Sequence, residues 1–373
     1  MKKVIIILLC FLSLTLDVYG QEQKSPEEIY SEYYSAAGVE DIKKSLDEKT
    51  LTELKELGAD PKNYKKNGVY AKDVFESLWN RLKEGFLSPF TSLCTVFCAV
   101  VLCSAFGLIG KKTFSQTADF TAAVCICSIA VVPFCSAICS AVEAIRVCCG
   151  FMAAFIPVYC GILLSLGRAA FSVSANALTF GAAQFVSGLA GTVIIPFSGM
   201  YLALSVASAF CHDISLSSLV SGIKKAVFWA LGISMTVFSA LLCVTGAVNS
   251  SADTVSGRTA KFFLSNSLPV VGGALTDALE TVAGCLSALK SGVGAYGICG
   301  IILLLFPSVI QIILWRGSLS AMSAVSGFFG QKRCQELLKG LSEGAGIILS
   351  VSVCVAILFL ISLTVLLMGG NGI

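Results

Sequence analysis

Most of this chain carries almost no charge. Residues 89–373 hold only 13 Lys/Arg and 8 Asp/Glu in 285 positions, whereas residues 21–88 hold 11 and 14. One stretch, Ala169–Cys211, runs 43 residues without an ionisable side chain except those of Tyr201 and Cys211. Soluble domains average about 25% charged residues, and this chain has 13% with 56% hydrophobic. An apolar body of that length has lipid as its solvent, and 21–88 is a small polar module in front of it. No basic stripe exists to neutralise phosphates, so nucleic acid is excluded as a partner.

The N-terminus reads as an address. Lys2-Lys3, an apolar run from Val4 to Leu16, and Val18-Tyr19-Gly20 have the plan of a secretory signal over 1–20, with cleavage after Gly20. An uncleaved anchor is the alternative. Either way, residues 21–88 are expected outside the cytoplasm as a helical module. Ser25-Pro26-Glu27-Glu28 is a capping box opening a helix with Ile29, Tyr30, Tyr33 and Tyr34 on its apolar stripe. Thr50-x-x-Glu53 starts a second helix, stopped by Gly58 and Pro61. A third covers about 72–85, with Val74, Phe75, Leu78, Trp79 and Leu82 at helical spacing.

The rest divides by length and by basic residues into an all-α polytopic membrane bundle of about eight spans (range six to eight). A crossing helix needs about 20 apolar residues. Spans are expected at 89–109, 120–142, 147–166, twice within 169–211 with a turn near Gly188–Gly191, and at 226–248, 294–315 and 344–368. The domains are then the signal, the module at 21–88, a first membrane part at 89–249, an amphipathic interlude at 250–292 and last spans at 293–373. Counting basic residues, Lys111, Lys112, Arg168, Lys224, Lys225, Arg316, Lys332, Arg333 and Lys339 fall inside. Arg146, Arg258, Lys261 and Lys290 fall outside.

Chemistry is sparse. Of 17 cysteines, all but Cys10 lie at or beyond Cys94, in apolar surroundings and with a single histidine in the chain. They read as small packing residues, and no metal or cofactor is expected. Ionisable groups cluster at span ends, and Asn176 and Gln184 are the most deeply placed amides. His212-Asp213 is the sole candidate catalytic pair, adjacent residues that do not share a helix face. No H-E-x-x-H, G-x-S-x-G or phosphate-binding loop is present, so no catalytic residue is assigned. Gly199, Ala203, Ala207 and Cys211 recur every four residues as a candidate helix-packing face.

The distinctive blocks are Gly257-Arg258-Thr259-Ala260-Lys261-Phe262-Phe263, Ser265-Asn266-Ser267-Leu268-Pro269-Val270-Val271-Gly272 and Leu275-Thr276-Asp277-Ala278-Leu279-Glu280-Thr281-Val282. With Leu54-x-x-Leu57-Gly58-Ala59-Asp60-Pro61 upstream, the sequence resembles the stage III sporulation protein AE family of endospore-forming bacteria. That resemblance implies a permease-like subunit of a channel or secretion-like complex joining mother cell and forespore, in the mother-cell-derived membrane around the forespore. It implies as partners a cytoplasmic ATPase, small membrane subunits and ring-forming proteins, besides the bilayer itself. Arg258, Lys261, Asn266, Pro269, Gly272, Asp277 and Glu280 are then candidates for a pore mouth or partner segment on the outer side. A stand-alone secondary transporter is the alternative; it calls for an internal repeat and a mid-span charge, and the sequence shows neither.

Overall fold

In the computed structural model the described residues are 25–62, 71–109, 112–189, 195–210, 272–369 and helical positions between 222 and 244, of which 232–241 are continuous. The signal segment, His212-Asp213 and the interlude up to 271 lie outside the described residues.

Three short helices begin the fold: α1 (Pro26–Ala36), α2 (Val39–Lys44) and α3 (Glu48–Glu56). Ser25 and Glu28 close the capping box foreseen from sequence, satisfying amides that the first turn leaves open. α3 starts two residues earlier than Thr50, because Asp47 accepts from the Thr50 amide and takes the cap instead. Gly38 and Gly58 adopt left-handed φ of 71° and 68° to turn the chain out of α1 and α3.

Helices then become very long. α4 (Ala71–Ile109) joins the third module helix and the first expected span through Pro89. α5 (Lys112–Ser165, 54 residues) fuses the spans expected at 120–142 and 147–166. α6 (Ala169–Leu189) and α7 (Ile195–Phe210) follow. α8 (Gly272–Phe328, 57 residues) and α9 (Lys332–Gly369, 38 residues) form a closing hairpin around Gly330, whose φ is 73°. At 1.5 Å per residue α5 and α8 are about 80 and 85 Å long.

The helical membrane class stands, while the count of eight spans is not carried by the described residues. Among the described residues four helices are long and apolar enough to cross a membrane, within 120–165, 169–186, 281–328 and 332–368, with shorter apolar helices at 89–102 and 232–241. Glu143 and Arg146 suggested a break because hydropathy falls there; the backbone ladder passes through them because both side chains leave it toward the exterior. Pro133 and Pro157 are carried inside the same helix.

Two cores stack along the long helices. The first joins Tyr34, Val39, Ile42 and Leu54 of the module to Ile145–Leu163 of α5, Leu289–Leu305 of α8 and Val351–Leu366 of α9. The second joins Val96 and Val100 of α4 to Ala122–Val142, Ile312–Met322 and Cys334–Ile348. α6 and α7 do not form the expected up-and-down pair. Ser172 of α6 is hydrogen-bonded to Cys160 at the end of the bundle where α9 finishes, Ala182 and Val186 line one cavity with Val351, Val355 and Leu358, and then Tyr201 lies beside Gly344 and Ser205 beside Gly340. Rising numbers on α6 and α7 thus meet falling numbers on α9, and both helices run the same way along it.

Packing between α5 and α8 rests on glycines. A Cβ on Gly297 would come within 2.6 Å of the Phe155 ring, and one on Gly300 within 2.8 Å of the Phe151 ring. Gly297 and Gly300 cut a notch on the α5 side of α8, while Gly294 gives the same room to Leu367 of α9. Into the notch fits a column of Phe151, Phe155 and Tyr159, with ring centroids 5.7 and 5.6 Å apart.

Candidate functional site

Polar groups gather at three levels of this bundle. At the level of the second core, α7, α8 and α9 bring together groups far apart in sequence. The Ser342 hydroxyl donates to the Arg316 carbonyl at 3.2 Å, and Tyr201 Oη stands 3.5 Å from Glu343 Oε2. Arg316 and Glu343, expected at two span ends on one side, do sit at one level. What sequence suggested as a connecting loop between them is a helical hairpin reaching a further turn or more to Gln331, which donates to the Val100 carbonyl at 3.0 Å.

At the far end, Arg168 and Lys290 are 3% and 4% exposed and lie close enough for their charges to act on each other. Gly167, at φ 80°, ends α5 here: its amide reaches the Leu164 carbonyl and the Arg168 amide the Leu163 carbonyl. A cation just past a helix C-terminus is favoured by the helix dipole. Ser172 Oγ donates to the Cys160 carbonyl at 2.7 Å and ties α6 back to α5. Arg168 and Lys290 were assigned from sequence to opposite sides; their adjacency places them at the same end and corrects that assignment.

Beside this end sits the module. Lys43 Nζ is 2.9 and 3.1 Å from the two Asp60 carboxylate oxygens, and Tyr30 donates to the Pro61 carbonyl. Burial, with help from Tyr34 and Asp60, pushes the Tyr30 hydroxyl up to about 12. Burial works against the charge of Lys43, but hydrogen bonds to Asp60 and Tyr34 outweigh it and raise its pKa. A groove between α3 and α4 is lined by Glu53, Glu56, Asp73 and Glu76 with Lys49. The Ser77 hydroxyl there donates to Glu53 at 3.3 Å.

The third level is the middle of α5, where Arg146 Nη1 meets Glu143 Oε2 at 3.3 Å on the outer surface.

Of the candidate pore-mouth residues, Gly272, Asp277 and Glu280 lie in the first turns of α8, while Arg258, Lys261, Asn266 and Pro269 fall outside the described residues. The helix-packing face is split. Gly199 and Ala203 are exposed on α7, Ala207 is half-buried, and Cys211 is outside the described residues. α7 instead packs through Tyr201 and Ser205, onto Gly344 and Gly340. Asn176 is half-buried and Gln184 exposed. Among the described residues no three His, Cys, Asp or Glu converge as a metal site. Sequence reasoning missed that Arg168 and Lys290 lie at one end of the bundle, since 121 residues separate the two. It saw Glu143 and Arg146 only as a boundary, although their i, i+3 spacing is the signature of a pair on one helix face.

The sequence profile described as Stage III sporulation protein AE matches residues 54–370. Stage III sporulation protein AE of Bacillus subtilis (strain 168) is 26% identical over 305 residues, covering 81% of this chain and 76% of that relative. No solved structure matches.

Proposed function

Because the chain belongs to the stage III sporulation protein AE family, we propose that it is the permease-like membrane subunit of the complex joining mother cell and forespore, needed for late forespore development. The match over residues 54–370 carries this reading, since it spans all the long helices and not one module. The distribution of charge supports it. Lys112, Lys332 and Arg333 lie at the end of the bundle away from the module, and Arg333 sits over the Phe120 ring at 5.5 Å. Cytoplasmic ends of membrane proteins are enriched in such residues. That end faces the mother-cell cytoplasm and an energy-supplying ATPase, while the module faces the intermembrane space and ring-forming partners. α5 crosses the membrane once. The start of α8, with Asp277 and Glu280, emerges on the module side and flanks the mouth of the path.

The test is deletion with complementation, scoring spore yield and a reporter expressed late and only in the forespore. Arrest after engulfment with a silent reporter, reversed by the intact gene, is the expected result. Normal spores would overturn the proposal and leave a stand-alone permease.

A further inference from the structure

One face of α5 is left uncovered by the described residues and is not suited to lipid. The charge-free stretches 291–315 of α8 and 344–368 of α9 run antiparallel in register, Gly294 against Leu367 and Arg316 against Ser342. Each is about 37 Å long, one bilayer with little to spare. α5 joins that register with Phe134 beside Trp315 and Phe155 beside Gly297. Glu143 and Arg146 fall midway between, and they point outward, 59% and 57% exposed. Charges at that depth are costly against hydrocarbon and belong against protein or water.

The neighbours on this face repeat the message. Ser136, Cys139, Ser140 and Gly150 are exposed along it, and a Cβ on Gly150 would meet nothing within 4 Å. The Ser140 hydroxyl is already spent on the Ser136 carbonyl at 3.0 Å, so the stretch from Ser136 to Gly150 is short-chained apart from the ion pair, with Val132 exposed at its edge. A different exposed face of the same molecule shows what lipid contact looks like: Trp229, Ile233, Val237, Leu241 and Val244 are bulky, apolar and exposed at near-helical spacing.

We propose that the outer face of α5 around Glu143 and Arg146 is the contact between two copies of this chain. The pair is self-complementary. In a two-fold dimer whose axis is normal to the membrane, the two α5 helices run parallel. Glu143 and Arg146 differ in height by about 4.5 Å, three residues of rise, so each carboxylate reaches the other copy's guanidinium. Small residues above and below permit the approach.

The test is oxidative cross-linking of the full-length chain in its native membrane, reading the disulfide-linked dimer. In a chain carrying Cys125→Ser, since that exposed cysteine lies on the same face, the protein links through Cys139; adding Cys139→Ser loses the dimer; adding Gly150→Cys to that variant restores it, and adding Val237→Cys does not. Glu143→Arg cuts the linked fraction roughly tenfold, as like charges meet across the contact, and adding Arg146→Glu recovers it. A dimer that survives Cys139→Ser and ignores Gly150→Cys overturns the proposal. So does rapid reaction of Cys139 with a membrane-impermeant thiol reagent and no cross-link, which would make this face the wall of an aqueous path. None of these readings depends on the sporulation phenotype.

Discussion

The two sides of α5 are opposites. Its inner side buries Phe134 against Trp315, and Phe151 and Phe155 against Gly300 and Gly297 of α8, with Tyr159 stacked on Phe155. Its outer side presents mostly serines, a cysteine, a glycine and an ion pair, answered by nothing among the described residues. Both sides have residues acceptable in a membrane helix, so hydropathy does not separate them. Shape does. In a helix surrounded by apolar material the buried side is told by large residues that find small partners, and the unfilled side by small residues that find none.

That contrast can be broken at graded cost. Truncating the inner side has the largest effect: Phe155→Ala removes the ring lying between Phe151, Tyr159 and Gly297 and is expected to cost about 3–5 kcal/mol. It shows as a large fall in the melting temperature of the purified protein in nanodiscs. Overfilling the notch comes next. Gly300→Val puts carbon where the Phe151 ring already lies, at about 1–3 kcal/mol, and the same melting curve checks it. Should Gly150→Val on the outer side destabilise the single chain as much, the contrast is false.

A smaller effect separates the module from the bundle. Lys43→Met removes a partly buried ion pair with Asp60 and is expected to cost about 1 kcal/mol, read as faster proteolysis in α1–α3 with the bundle intact. The pH dependence has a definite sign. Tyr30 and Lys43 have raised pKa values in the folded chain. Their contribution is therefore whole below the ordinary values and is lost as pH climbs from about 10, through about 12 for Tyr30. Smallest of all, Glu143→Gln changes the stability of the detergent-dispersed single chain by less than about 0.5 kcal/mol, since an exposed pair contributes little.

Much of this was legible in the sequence. The Ser25–Glu28 box, the left-handed turns at Gly38 and Gly58, the helical class and the family blocks all rest on local patterns, and local patterns persist in the fold. Continuity did not. Charge at Glu143 and Arg146 was read as an interruption, yet a helix keeps its hydrogen bonds when the charged atoms point away from it. Pro89, the expected start of the first span, likewise sits within a helix and not at its end. Nor was pairing across distance legible: nothing local in Arg168 announces Lys290, and nothing in Gly297 announces Phe155. The small-residue repeat at Gly199 and Ala203 was visible, but which side of α7 would be used depends on Tyr201 and Ser205 meeting glycines of α9.

The central claim is that residues 120–165 cross the membrane once, as one helix with its ion pair at mid-depth. Single substitutions Gln116→Cys and Ser165→Cys, labelled with a membrane-impermeant thiol reagent before and after permeabilisation and compared with the unsubstituted protein, test it directly. For the protein produced in cells that are not sporulating, where its membrane is the cell's own surface membrane, the account predicts that one site reacts from outside intact cells and the other only after permeabilisation. Labelling of both from the same side would contradict it and restore two separate spans joined at Glu143–Arg146.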